Sequence, residues 1–301
     1  MGSEDIEENS KMPEGIDDEF QFSQSRPLRA GLYLVATPIG NLRDITLRAL
    51  DVLRGADVIL CEDTRVSGKL LSAYQIKGRL ISCNDHSEVT RIDEVIGYLA
   101  EEKIVALISD AGMPLISDPG FKLVRACREA GQYITSVPGA NAPLSAIQLS
   151  AMPSDAFSFI GFLPNKMKAR RDLMAKWAHV PSSLVAFESA NRLIAALHDI
   201  HAVMAGREVA VVREITKLYE EVRRGRAQEL AIYYEENGAP KGEIVLVVAP
   251  PEDEVVSDED AEEMLVKALE TMRTKDAAAF VAEQTGRKKK EIYDMALRLG
   301  A

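Results

Sequence analysis

Three loops rich in glycine, proline and small polar residues carry the clearest chemical signal in this sequence. They are Thr37-Pro38-Ile39-Gly40-Asn41-Leu42, the stretch Ser109-Asp110-Ala111-Gly112-Met113-Pro114-Leu115-Ile116-Ser117-Asp118-Pro119-Gly120, and Val137-Pro138-Gly139-Ala140-Asn141-Ala142-Pro143. Glycine admits positive φ and lets a ligand approach the backbone closely, and proline fixes the shape of a loop. Backbone groups in such loops can hydrogen-bond a nucleoside, and a carboxylate such as Asp110 can bind ribose hydroxyls or a cationic ligand. The competing reading makes them ordinary strand-to-helix turns, with Ser117 or Asp118 as helix cap and Pro119 as first helical residue.

Several other chemistries are disfavoured. No GxGxxG follows the first strand, no GxxxxGK[ST] occurs, and no GxSxG elbow is present. His198 and His201 stand at a spacing that could chelate a metal, but without a carboxylate motif they read as a solvated helix face, so no metal is expected. The three cysteines, Cys61, Cys83 and Cys127, form no CxxC pair and read as reduced core thiols of a cytoplasmic protein.

The elements that must position these loops form an alternating series. Gly31–Ala36, Asp57–Cys61, Ile104–Ile108 and Tyr133–Val137 are apolar strands, separated by helical patterns near 46–54, 91–102 and 119–130. Such alternation predicts an α/β fold with a parallel sheet covered on both faces, whose loops at the strand carboxyl ends form a ligand crevice. A second α/β unit begins near Phe157, with strands at Phe159–Phe162, Ser183–Phe187, Val209–Val212 and Glu243–Val248 and a helix over 190–204. Glu220–Arg226 reads as a strand edge or hairpin. The predicted organisation is an acidic arm at 1–29, domains at 30–153 and 154–250, an acidic linker at 251–260 and a tail at 261–301. The tail reads as short helices near 261–272, 276–284 and 288–298, the last opening on the basic run Arg287-Lys288-Lys289-Lys290 in a helix–turn–helix arrangement.

The net charge of −11 argues against a nucleic-acid partner until it is located. Residues 1–30 carry −5 and residues 252–263 carry −8, so the remainder of the chain is slightly basic at +2. No stretch approaches the roughly 20 apolar residues that span a bilayer, so no membrane is expected. The acidic, polar opening segment reads as neither a secretory nor a transit signal.

An ordered series of motifs resembles a known family. Leu34–Leu42, Glu62-Asp63-Thr64-Arg65, Ser109–Gly120, Gly161-Phe162-Leu163-Pro164, Phe187-Glu188-Ser189, Arg213-Glu214-Ile215-Thr216-Lys217 and Lys241-Gly242-Glu243 are similar to the bacterial 16S ribosomal RNA (cytidine-2′-O)-methyltransferases, members of the tetrapyrrole methylase-like (class III) methyltransferases. The resemblance covers about 31–250, and the tail is similar to that family's C-terminal extension. The chain departs from the pattern at Met113, Ser117, Ala140 and Asn141, and at Ala190-Asn191.

The resemblance implies two α/β domains of tetrapyrrole methylase type with S-adenosyl-L-methionine in the cleft between them, and a homodimer. It also implies a substrate cytidine in the decoding region of 16S ribosomal RNA, within the small ribosomal subunit. The cofactor would then meet Pro38, Gly40, Asp110, Ala111, Gly112, Met113, Pro114, Ser117, Asp118, Pro138, Gly139, Ala140 and Phe187. Methyl transfer from a sulfonium is an in-line displacement helped by removal of the hydroxyl proton, with Asp63 or Glu188 expected as base and Arg65 orienting the ribose or its phosphate. RNA phosphates are expected at Lys166, Lys168, Arg170, Arg171, Arg223, Arg224, Arg226 and Arg287–Lys290. Two rivals remain: a methyltransferase of this fold acting on a tetrapyrrole or other small molecule, and a non-catalytic RNA-binding assembly factor.

Overall fold

A computed structural model of the chain describes residues 27–84, 87–251 and 258–299. The expected arm at 1–29 falls almost wholly outside them, as does most of the linker.

The first unit is built on β1 (Gly31–Val35), β2 (Val58–Cys61), β3 (Leu80–Ser82), β4 (Ile104–Ile108) and β5 (Ile134–Val137). These pair in parallel in the order β3-β2-β4-β1-β5, as the alternating pattern requires. Between them run α1 (Leu47–Gly55), α2 (Thr64–Ala73), α3 (Glu88–Ala100) and α4 (Phe121–Glu129). One face packs Tyr33, Val35 and Ile59 against Val52 and Leu53 of α1, and the other packs Leu32 and Leu60 against Val95 of α3 and Leu123 of α4. Each fully buried aliphatic side chain contributes about 1.5–3 kcal/mol. Because both faces are covered, the strands are continuously apolar rather than alternating.

Local chemistry sets where the helices begin. The Thr46 side chain accepts a hydrogen bond from Ala49 N–H to open α1, and the Asp63 carboxylate accepts from Arg65 N–H to open α2. α4 starts at Phe121, with Gly120 at φ +122° as its cap, so neither Ser117 nor Asp118 caps it. The cap is supplied from elsewhere: buried Glu88 accepts from Leu123 N–H at 3.0 Å. Capped by the Asn141 side chain, α5 (Ala142–Ser150) leaves the first sheet and packs Ala146 and Ile147 against Val185, Ala210 and Val245 of the second.

The second unit contains β6 (Phe157–Phe162), α6 (Met167–Trp177), β7 (Ser183–Ser189), α7 (Leu193–Val203), β8 (Glu208–Arg213), β9 (Glu221–Arg226), α8 (Ala227–Asn237) and β10 (Glu243–Val248). Its strands follow the order β6-β7-β10-β8-β9, with β6 parallel to β7 and the other pairs antiparallel. The helix expected over 190–204 opens with a 3₁₀ turn at Ala190–Arg192 before α7. β9 resolves the ambiguous Glu220–Arg226 stretch as an edge strand, whose residues alternate between half-buried and exposed.

The tail folds as α9 (Asp258–Leu269), α10 (Thr274–Thr285) and α11 (Lys289–Arg298) around Leu265, Val281, Ile292 and Met295. α9 begins inside the segment read as linker, because Asp258, Glu259 and Asp260 in its first turn suit a helix amino terminus. No helix among the described residues is long and apolar enough to cross a membrane.

Candidate active site

The loop after β4 is stitched to the loop after β1. Thr37 N–H donates to Gly112 O at 2.9 Å, and Gly112 N–H returns a bond to Thr37 O at 3.1 Å. The Thr37 hydroxyl donates to Ser109 O at 3.1 Å, and the Ser109 hydroxyl to Gly112 O at 3.0 Å. Gly112 has φ +84°, and a Cβ there would meet Ile39 Cγ2 at 3.3 Å. Leu115 and Ser117 also adopt positive φ, at 71° and 67°. Non-glycine residues held in that region cost about 1–3 kcal/mol each and gather where function over-determines the backbone.

This loop forms one wall of a cleft of about 410 Å³ between the two sheets. Asp110, Ala111, Gly112, Met113, Ser117 and Asp118 line it from the first unit, and Phe187 and Glu188 line it from the second. Of the other residues expected to meet a cofactor, Pro38, Gly40, Pro114, Pro138, Gly139 and Ala140 lie outside the lining. Gly40 serves the seam between the units instead: a Cβ there would fall 2.4 Å from Lys217 Cγ. Lys217 Nζ in turn pairs with Glu214 and Glu243, each at 2.9 Å, and the Thr216 hydroxyl donates to Asp44 across the same seam at 2.5 Å.

The cleft also takes in residues the sequence reading missed. Asn141, Ala142 and Pro143 come from the third loop, beyond the Pro138-Gly139 pair that drew attention, and the Asn141 amide reaches Met113 Sδ at 3.3 Å. Phe162, Gly242, Ile244 and Val245 come from β6 and β10 or their flanks. Phe162 and Phe187 pack with centroids 5.0 Å apart and their rings tilted by 54°. Nothing in an apolar strand distinguishes a residue facing a ligand from one facing a core, so Ile244 and Val245 carried no signal.

Glu188 is buried, and its Oε1 accepts from Ser189 N–H at 2.6 Å and from Arg192 Nε at 2.7 Å. Its Oε2 is also buried and has no hydrogen-bond partner among the described residues. A buried carboxylate oxygen without a donor is costly, so this atom marks a position for a hydrogen-bond donor on a ligand.

A second, polar cavity of about 520 Å³ opens beside the first, lined by Glu62, Asp63, Thr64, Arg65, Ser82, Asn84 and Asp110. Among the described residues, Asp110 is common to both linings. Asp63 N–H donates to Asp110 Oδ1 at 3.3 Å. The Asp63 carboxylate is itself held by the Arg65 guanidinium at 2.6 Å, and those hydrogen bonds pull its pKa down to about 2.

The basic residues divide. Lys166, Lys168, Lys288, Lys289 and Lys290 are exposed. Arg170 corrects the expectation of a phosphate contact: it is buried on α6, paired with Asp199 of α7 and donating to Pro164 O and Asn165 O, so it is part of the interior. Its position on the inner face of an amphipathic helix explains this, since an arginine there needs an anion and α7 supplies one. Half-buried Arg171 shares Asp199 at 2.6 Å. On β9, Arg223 lies over the Tyr233 ring at 3.8 Å and pairs with Glu221, while Arg224 pairs with Glu208 at 2.8 Å. Exposed Arg226 opens α8. Arg287 pairs with Asp258 at 2.6 Å, joining α9 to the turn before α11.

The profile of the Tetrapyrrole (Corrin/Porphyrin) Methylases matches residues 31–231, and that of the RsmI C-terminal HTH domain matches residues 255–300. A protein of Erythrobacter litoralis named Ribosomal RNA small subunit methyltransferase I is 50% identical over 283 residues, covering 91% of this chain and 97% of its own. A protein of the same name from Mesorhizobium japonicum is 43% identical over 276 residues, covering 91% and 94%. Among solved structures, uroporphyrin-III-C-methyltransferase from Thermus thermophilus is similar with a TM-score of 0.51 at 23% identity, over 73% of this chain and 94% of that one. Diphthine synthase gives a TM-score of 0.56 at 13% identity, over 72% and 89%. At such identities the two structures speak to the fold alone.

Proposed function

The chain belongs to the tetrapyrrole (corrin/porphyrin) methylase family, and from that premise we propose that it transfers a methyl group from S-adenosyl-L-methionine to RNA of the small ribosomal subunit. One observation carries the reading. Identity of 50% to a Ribosomal RNA small subunit methyltransferase I covers 91% of the chain, and the tail has its own match to the RsmI C-terminal HTH domain. A methylase of this fold acting on a small molecule needs no such tail, and a non-catalytic assembly factor needs no ligand cleft.

The cleft suits the methyl donor chemically. Ile39, Met113 and Phe187 offer apolar surface for a purine, and the orphaned Glu188 Oε2 offers an acceptor for an amine or ammonium of the donor. When bound, S-adenosyl-L-methionine supplies an electrophilic methyl carbon on a sulfonium. The protein's part is to hold the acceptor hydroxyl in line with that carbon and to exclude water. The neighbouring polar cavity suits a ribose and its phosphate, with Arg65 as the exposed cation at its rim and Asp63 fixing the guanidinium. The acceptor is the 2′-hydroxyl of a cytidine in the decoding region, the enzyme works in the cytoplasm, and two copies assemble. Exposed Leu218 and Tyr219 beside the seam suit that assembly.

The test is transfer of labelled methyl to small ribosomal subunits, free 16S RNA and a tetrapyrrole precursor in parallel. Label in RNA is the expected result. Label confined to the tetrapyrrole overturns the assignment.

A further inference from the structure

We propose that Asp110 is the general base that takes the proton from the acceptor hydroxyl, a role the sequence pattern assigned to Asp63 or Glu188. The inference rests on the functional reading above.

Geometry separates the three carboxylates. Asp63 is engaged by Arg65 through backbone N–H, Nε and Nη2 at 2.8, 3.0 and 2.6 Å. Those bonds favour its ionised form, which leaves it little affinity for a proton. Glu188 lines the opposite wall, on β7, with its Oε1 bound by Arg192. It does not border the polar cavity. Asp110 stands at the carboxyl end of β4, where the apolar cleft and the polar cavity meet, and it belongs to both linings. No lysine or arginine among the described residues pairs with it, and it accepts a backbone N–H from Asp63 at 3.3 Å. That bond fixes the carboxylate without neutralising it. A donor in the apolar cleft and a ribose in the polar cavity share Asp110 as their common boundary, so it lies where the transferred methyl must cross.

In the step this implies, the acceptor O–H gives its proton to the Asp110 carboxylate as the oxygen forms its bond to the methyl carbon. The carbon–sulfur bond breaks and its electron pair stays on sulfur, so the sulfonium becomes a neutral thioether. Asp110, then a neutral acid, returns the proton to water after the product leaves. Asp63, which also lines the polar cavity, orients Arg65 and holds Asp110 through its own N–H.

Asp110→Asn tests this, because the amide oxygen still accepts the Asp63 N–H while the group no longer serves as a base. Two quantities are measured: the affinity for S-adenosyl-L-methionine by calorimetry, and the single-turnover rate on small subunits at saturating donor. The expected result is an affinity within about 3-fold of the parent and a rate lower by about 10²–10⁴-fold, the usual size of a general-base contribution. A rate restored at saturating donor, with affinity weakened more than about 10-fold, overturns the proposal and makes Asp110 a donor anchor. So does Asp63→Asn losing at least 100-fold while Asp110→Asn keeps the parental rate. If Asp110→Asn fails to fold, Asp110→Glu is used, which keeps the base and moves it by one methylene. A rate within 2-fold of the parent from that displaced carboxylate also overturns the proposal. A parent chain that labels no RNA sinks the functional reading itself, whereas an active parent with an equally active Asp110→Asn sinks this inference alone.

Discussion

Replacing Asp199 by alanine removes the anion on which the interior of the second unit depends. Asp199 is buried on α7 and accepts from Arg170 Nε at 2.7 Å and from Arg171 Nε at 2.6 Å. Arg170 is 3% exposed and keeps just two carbonyl contacts, at 3.2 and 3.3 Å, when the carboxylate is gone. Breaking a buried pair from one side costs about 3–5 kcal/mol, since the surviving charge is left uncompensated. Set against a typical total stability of about 5–15 kcal/mol, this is severe. With a urea m-value near 2 kcal/mol/M, a loss of about 4 kcal/mol lowers the unfolding midpoint by about 2 M. The assay is equilibrium urea unfolding followed by circular dichroism. Replacing both partners by apolar residues, Arg170→Met with Asp199→Leu, is expected to bring the midpoint most of the way back, because both desolvation penalties vanish together. A midpoint for Asp199→Ala within about 0.3 M of the parent refutes the reasoning, and would return Arg170 to the set of candidate RNA contacts.

Glu188→Gln is expected to weaken binding of S-adenosyl-L-methionine about 10- to 100-fold, the worth of one hydrogen bond to a charged group, while a calorimetric affinity within 3-fold of the parent means Oε2 has no ligand partner. The Asp63 carboxyl, held by Arg65, is expected to titrate near pH 2 by NMR, and Arg65→Ala should return it toward the ordinary value near 3.9. In linkage terms its folded-state pKa is depressed, so its contribution to folding is complete above about pH 4 and fades as pH falls toward 2. Neutralising Lys288, Lys289 and Lys290 together is expected to lower the salt dependence of RNA binding by about 2 in slope, at about 0.7 per phosphate on single strands, with the fold unchanged because all three are exposed. An unchanged slope removes α11 from the RNA-binding surface.

The first sheet was readable because its strands are apolar on both faces and its helices are amphipathic, so periodicity and turn chemistry agree there. The short edge strand Leu80–Ser82 escaped, since three residues carry no period, and α5 escaped because Pro143 near its start and its largely apolar composition blur the helical pattern. In the loops, the glycine- and proline-rich composition pointed to segments that border the cleft, but to only some of the residues that line it. Asp110, Gly112 and Met113 line the cleft, yet Pro138 and Gly139 carry the same composition and lie off the lining. Those two shape the turn, and the cap residue Asn141 after them reaches the cleft. Charge was the least legible property. Arg170 and Lys168 are two positions apart on α6, and a helix turns about 100° per residue, so one is buried against Asp199 while the other is exposed. Sequence shows that both are basic; the inner face of the helix is fixed by what packs against it.

The most direct test of the account is to incubate small ribosomal subunits with the protein and methyl-labelled S-adenosyl-L-methionine, digest the RNA to nucleosides and identify the labelled one. The nucleoside expected to carry the label is 2′-O-methylcytidine from 16S RNA. Label on a base, or no label in RNA from a protein that binds the donor, would contradict it.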